Sequence, residues 1–464
     1  MNNGTIIIFG ASGDLSVRKL IPALYHLAKR GNLESVAIIG VAFEDVTAET
    51  VLERARTHIT DHDEAAWNII QKNFYYQRLD FTHLDDYARL AEFVQSVERK
   101  QTLSGNRLVY LATAAYFFCT ITEYLGQSGV VTRKNPETVP WHRIVYEKPF
   151  GKDIQSAHEI NACIKQWFEE CQIYRVDHYL TKEVVNNIAL LRFTNIVFEP
   201  IWNHKYIDQV HIVLSETGCV GNRAIYYDHY GALRDVVQNH MLELLALVAM
   251  EAPATLSGDL IRTERVKVLE KVRIVDGILG QYDTYKQEPS VQPNSTTETF
   301  AALHLKVDND RWENVPFYLK TGKCLDKDEV AVHIKFKPVE CRLTKNCPSD
   351  SNWLTIRVAP DASFILNLNA KKPGRSDELM TVGMEFCHSC LYATVTHDAH
   401  EVLFEEIWAG EQSASVRFDE IEAAWKVIDG VYVKRLPLYS YKPASLGPEE
   451  LESFCARHEI VWRT

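Results

Sequence analysis

Three stretches of the chain hold residue types that could do chemistry together. The eleven residues IYRVDHYLTKE carry Arg175, Asp177, His178, Tyr179, Lys182 and Glu183, a set able to combine proton transfer with anion binding. The same composition suits the charged start of a solvated helix, where acids are favoured by the helix dipole. In TIIIFGASGDLSVRKL, Gly10 and Gly13 fall between an apolar strand and a helix. A dinucleotide pyrophosphate can approach the backbone there and accept N–H donors from the helix N-terminus. Ser12, Asp14 and Leu15 complete that turn. The spacing is G-x-x-G rather than the full G-x-G-x-x-G, so a tight ligand-free turn fits it too. After the run VAIIGVA come Phe43, Glu44 and Asp45. An acid at that point accepts from a free ribose 2′-hydroxyl, whereas an Arg would pair with a 2′-phosphate, so local electrostatics favour NAD over NADP.

These residues need a frame. The first half alternates short β-rich runs with amphipathic stretches: TIIIFG, DLSVRKLIPALYHLAKRG, VAIIGVA, DDYARLAEFVQSVERK, RLVYLAT and RIVYEKPFG. That alternation predicts parallel β-α-β units in an open, doubly wound sheet. Beyond about residue 180, β-rich segments such as DQVHIVLSET, TETFAALHLKVDND, VAVHIKFKPV, NWLTIRVAP and ASFILNLNA follow one another across polar turns. Successive strands without crossover helices predict a mainly antiparallel sheet with helices on one face. The boundary is placed near Asp177, giving a dinucleotide-binding domain over 1–177 and a second domain over 178–464. KQEPSVQPNSTTE, from Lys286 to Glu298, reads as a long surface loop.

A chain of 464 residues, 46% hydrophobic, can bury large cores. Its net charge of -12 argues against nucleic acid or an anionic membrane as the main partner, since both demand an excess of Lys and Arg. Any anionic ligand must be met locally. The N-terminal apolar run lacks a basic flank and a cleavage pattern, and the most apolar internal stretch, MLELLALVAM, is short and contains Glu243. A cytoplasmic protein without a membrane segment is expected. Ten cysteines are scattered without scaffold spacing and are expected as reduced thiols. CHSC, from Cys387 to Cys390, could join Cys341 and Cys347 at a metal, but nothing else in the sequence supports one and none is expected.

GASGDLSVRKLIPALYHLAKRG, EKPFGKD, RVDHYLTKE, YYDHYGALRDVVQNHM and VPFYLKTGK occur in that order over essentially the whole length. In them the chain resembles the glucose-6-phosphate dehydrogenase family, and most of all its shorter bacterial members that accept NAD as well as NADP. The resemblance implies a Rossmann-like domain joined to a larger β+α domain whose broad sheet forms a dimer interface, hence a homodimer or a dimer of dimers. It implies hydride transfer from C1 of β-D-glucose 6-phosphate to C4 of the nicotinamide, giving 6-phosphoglucono-δ-lactone, the first step of the oxidative pentose phosphate pathway. On the matching positions, His240 is the base for the C1 hydroxyl and Asp177 the carboxylate that orients it, a His-Asp dyad. Taken alone, His240 opens an apolar run and reads as a core histidine. His178, Tyr179 and Lys182 match phosphate-binding positions. A helix starting just after Tyr179 would set His178 and Lys182 one turn apart on the anion. Lys148 and Lys323 match lysines reaching sugar and phosphate, with Lys148 also beside the cofactor, and Glu216 and Asp235 match carboxylates that accept from sugar hydroxyls.

The departures are as informative. Phe43 stands where the family has Arg, again favouring NAD; Ala115 stands for a Pro with a cis bond, predicting a trans bond; Thr181 stands for Gly, and Lys320 for Arg. Three other readings compete. One is a sugar dehydrogenase of the glucose-fructose oxidoreductase type, which shares the EKP lysine but needs neither RVDHYLTKE nor RDVVQNH. Another is a dehydrogenase of a different hexose 6-phosphate on the same fold. The third is a catalytically silent dinucleotide or sugar-phosphate binder.

Overall fold

Ile6, Ile7, Ile8 and Phe9 show no exposed surface, as expected of a parallel strand covered on both faces. A computed structural model describes residues 1, 3–134, 139–339, 351–374, 379–387 and 398–463. The strands β1 (Gly4–Phe9), β2 (Val36–Ala42), β3 (Phe74–Arg78), β4 (Arg107–Leu111), β5 (His142–Tyr146) and β6 (Ile173–Arg175) form one sheet in the order β3-β2-β1-β4-β5-β6. Every pairing in it is parallel. This doubly wound order places the carboxyl ends of β1 and β2 side by side. Alternate strand residues divide between two cores. Ile6, Ile8, Ile38 and Tyr110 pack with Leu24, Tyr25 and Trp67, while Ile7, Phe9, Ile39 and Val109 pack with Tyr87, Phe118 and Tyr146.

Contact density divides the chain into Met1–Thr181 with Thr255–Arg262 and His397–Phe418 as one unit, and the remainder as the other. The sequence was expected to part near Asp177, and nothing in it announced that two later segments rejoin the first unit. The helix Ala399–Ala409 carries Phe404 and Ile407 into the same core as Ile6 and Ile8, which is the apolar reason for its return.

Among the described residues, the second unit is built on nine strands. They are β7 (Ile207–Ser215), β8 (Val272–Tyr282), β9 (Phe300–Val307), β10 (Pro316–Gly322), β11 (Glu329–Phe336), β12 (Trp353–Ala359), β13 (Ser363–Lys371), β14 (Leu379–Cys387) and β15 (Leu438–Tyr441). Their order is β14-β13-β12-β11-β7-β10-β9-β8-β15. The pairings β7 with β10 and β8 with β15 are parallel, and the others antiparallel. Leu242–Ala249, the heart of the apolar run, is a helix buried on every side, so it is a core element. Its Glu243 is 2% exposed and faces Arg265, which also pairs with Glu420 at 2.7 Å. Among the described residues no helix is long and apolar enough to cross a membrane.

Two expectations need correction. The thiols are not all unpaired: Cys119 lies in bridging range of Cys163 and Cys219 of Cys324, with Cα–Cα distances of 5.8 and 4.5 Å. Sequence separations of 44 and 105 left no local spacing to read. The segment Lys286–Glu298 is a loop, yet its end turns inward, and Glu298 is 7% exposed. Cys341, Cys347 and Cys390 lie outside the described residues.

Candidate active site

In the first unit the chain leaves β1 through a turn that only glycine fits. Gly10 has φ +80, and a Cβ on it would stand 2.4 Å from the Ala112 carbonyl oxygen. The Gly10 and Ala11 N–H groups donate to the Val41 carbonyl, and Ser16 Oγ donates to Gly10 O at 2.8 Å. A helix begins at Asp14, so the exposed residues Gly13 and Asp14 present backbone at its N-terminus. That cradle, free of side chains at its closest approach, fits a dinucleotide pyrophosphate.

The end of β2 lies alongside. Phe43 is 64% exposed. Glu44 is held by both guanidinium nitrogens of Arg54, at 2.9 and 2.8 Å. Arg54, and after it Ser12, holds the Glu44 carboxyl below its usual range, so the acid is ionised and accepting. Tyr76 donates its hydroxyl to the Glu44 carbonyl at 2.6 Å. Arg78 lies 5.9 Å from the Phe43 ring, donates to the Phe43 carbonyl and stands 3.7 Å from Asp45. Arg54, Tyr76 and Arg78 escaped the sequence reading. The available signal was topological, since β3 pairs with β2 and places Arg78 opposite Ala42.

Lys148 follows β5, and Asp177 follows β6, each after one residue. Glu147, before the lysine, accepts from the Tyr110 hydroxyl, and burial pushes its carboxyl up. Asp177 is 2% exposed and accepts from the Tyr179 N–H at 2.9 Å, closing an Asx turn. Arg175 belongs to the scaffold: it is buried against Glu170 at 2.5 Å and Asn161 at 3.0 Å.

The expected helix start is displaced. Residues 178–181 form turns and the helix runs Glu183–Thr194 with Lys182, extended at ψ 130, as its N-cap. His178 and Lys182 are therefore not one helical turn apart. The turn is closed from inside, because Leu180 N–H donates to Asp177 O and the Thr181 hydroxyl to His178 O, both at 3.0 Å. A glycine at 181 could not make the second bond. The rings of His178 and Tyr179 stand 4.7 Å apart. At Ala115 the peptide is trans, as expected.

In the second unit, Glu216 leaves the carboxyl end of β7 and Lys323 that of β10. Because these strands run parallel, Gly322 faces Ser215 and the two ends emerge together. Lys323 Nζ reaches Glu216 Oε2 at 2.5 Å, a charge-assisted pair. The segment Leu233–Met241, wound as a π-helix, carries Asp235 and His240, which are 4% and 3% exposed. Asp235 accepts from the Tyr226 hydroxyl at 3.2 Å, with Arg223 4.0 Å away. Lys320 lies over Trp462 at 5.0 Å, where burial pushes its ammonium down.

Two family models together match nearly the whole chain. Residues 7–187 match the family model described as the NAD binding domain of glucose-6-phosphate dehydrogenase, and residues 189–463 its C-terminal domain. The glucose-6-phosphate 1-dehydrogenase of Chlamydia muridarum is 36% identical over 488 residues, covering 99% of this chain and 96% of that protein. That of Bacillus subtilis is 35% identical over 481 residues, covering 98% and 97%. A solved structure of glucose-6-phosphate dehydrogenase in complex with glucose-6-phosphate superposes with a TM-score of 0.91 at 31% identity, covering 100% of this chain and 99% of that one.

Proposed function

The chain belongs to the glucose-6-phosphate dehydrogenase family, an oxidoreductase acting at C1 of glucose 6-phosphate, and on that premise we propose how its residues divide the work. A bound nicotinamide dinucleotide supplies the hydride acceptor. Gly10, Ser12, Gly13, Asp14 and Leu15 hold its pyrophosphate end, while Phe43 and Glu44 meet the adenosine ribose. His240 takes the proton of the C1 hydroxyl at an imidazole nitrogen as C1 gives up its hydride, and Asp177 holds that ring and steadies its imidazolium form. His178, Tyr179 and Lys182 bind the phosphate. Glu216 and Asp235 accept from sugar hydroxyls, with Lys148 and Lys323 reaching sugar and phosphate.

One observation carries this reading. Apart from Asp235 and His240, which lie on the helical segment Leu233–Met241, the proposed groups emerge at the carboxyl end of a parallel strand or just after it: the glycine turn after β1, Glu44 after β2, Lys148 after β5, Asp177 after β6, Glu216 after β7 and Lys323 after β10. Open parallel sheets bind ligands at those ends. NAD is the favoured cofactor, because Glu44 is ionised and no arginine stands at position 43. A homodimer, or a dimer of dimers, is the expected assembly, supported by Met380, Met384 and Phe386, exposed along the terminal strand β14. The cytoplasm is the expected compartment, since a doubly charged sugar phosphate does not cross lipid unaided.

The test follows the absorbance of reduced nicotinamide with glucose 6-phosphate, other hexose 6-phosphates and each cofactor. Turnover fastest with glucose 6-phosphate is expected. Silence at saturation would favour a binding protein without catalysis. Replacing His240 by Asn should lower kcat by about 10² or more with substrate binding retained, and near-normal turnover would remove it as the base.

A further inference from the structure

The segment bearing Asp235 and His240 does not simply continue the helix before it. Gly231, at φ 65 and ψ -179, breaks the helix Ala224–Ala232, and winding restarts at Leu233. A restarting helix needs partners for its first N–H groups. Glu298 supplies two: its carbonyl accepts from Ala232 N–H at 2.9 Å, and its Oε1 from Leu233 N–H at 3.0 Å. A Cβ on Gly231 would stand 2.4 Å from that same Oε1, so the glycine makes room for the carboxylate. Burial pushes the Glu298 carboxyl up to about 7, against the pull of the Leu233 bond. An acid taken that far out of water costs stability unless its bonds are needed.

The next residue grips a different element. Thr299, with no exposed surface, accepts from Lys323 N–H at 2.9 Å through its carbonyl. Its hydroxyl lies 2.8 Å from the Tyr441 hydroxyl, which donates to Lys323 O at 2.7 Å. Two consecutive residues before β9 thus touch the start of the His240 segment and the backbone of Lys323, all inside the second unit.

We propose that Glu298 is a positioning residue for the oxidation: with Thr299 it sets the segment carrying Asp235 and His240 in register with the loop carrying Lys323 and Glu216. The inference rests on the assignment of His240 as base, so H240N is measured beside it. In the full-length enzyme, E298A should lower kcat for glucose 6-phosphate by about tenfold to a hundredfold, the scale of a displacement of about 1 Å, while KM for the dinucleotide stays put. E298Q keeps an oxygen for Leu233 N–H and should hold kcat within about threefold of wild type. Amide hydrogen exchange over 232–241 should quicken in E298A and not in E298Q. Should E298A fail to fold, E298D, one methylene shorter, takes its place with the same expected loss. Wild-type kcat in E298A, a fall in thermal midpoint alone, or E298Q as slow as E298A would each overturn the proposal. Turnover surviving in H240N would instead fault the base assignment, whatever Glu298 does.

Discussion

On the proposed assignment, position 43 governs what the end of β2 offers a ribose. An exposed phenyl ring carries no charge for a 2′-phosphate, while Glu44 next to it is ionised in the grip of Arg54. F43R should therefore raise kcat/KM for NADP relative to NAD by about tenfold or more, because a charge-assisted bond to the 2′-phosphate contributes about 1.5–3 kcal/mol. Paired steady-state measurements with both cofactors give the ratio. If it does not move, Arg78, already 5.9 Å from the Phe43 ring, reads the phosphate. Phe43 and Glu44 could be singled out in the sequence because they directly follow the apolar run that forms β2. Arg54 and Arg78 could not, since one reaches that place from the helix Ala48–Arg56 and the other from β3. Thr181 is a similar case: as a letter it is a departure from the family, and its hydroxyl bond to His178 O shows what it does.

At the scale of elements, the nine-stranded sheet carries a row of titratable side chains that no linear pattern announces. His333 faces His211, His211 faces Tyr318, Tyr318 faces His304, and His304 faces Asp276 across β11, β7, β10, β9 and β8. The rings of Trp353 and Trp462 close on His211, and that of His458 on His304. Burial pushes His211 and His333 down to about 3 and His304 to about 4. The folded sheet holds these rings neutral, whereas the unfolded chain protonates them below about 6.5. Their contribution is thus complete above pH 6.5 and is lost as pH falls toward 4 and 3. Urea midpoints taken from pH 8 to pH 4 should fall below about 6.5, with a slope that flattens in H211Q; a midpoint independent of pH over that range would refute the linkage. The register that builds the row is set by cross-strand pairing, and within the row the partners His211 and His333 stand 122 residues apart in the chain.

For the molecule as a whole, the exposed side chains of Met380, Met384 and Phe386 lie on β14, the terminal strand of its sheet among the described residues. Exposed apolar groups on such a strand invite a second copy, so sedimentation should return an even multiple of the chain mass of 53.1 kDa. A single-chain mass at micromolar concentration would refute the assembly. What the sequence determined by itself is whatever local period and turn chemistry can encode. The alternation of strands and helices specified a doubly wound sheet, the glycines between β1 and its helix specified a tight turn between them, and five ordered motifs specified the family. What only the tertiary structure decided are relations between distant residues: the return of 397–418 to the first unit, the parallel pairing of β7 with β10 that joins Glu216 to Lys323, and the Glu298 cap on the His240 segment. The physical reason is that a helix turn or a β-turn is set by neighbours a few residues apart. Burial and strand register, in contrast, answer to the whole core at once.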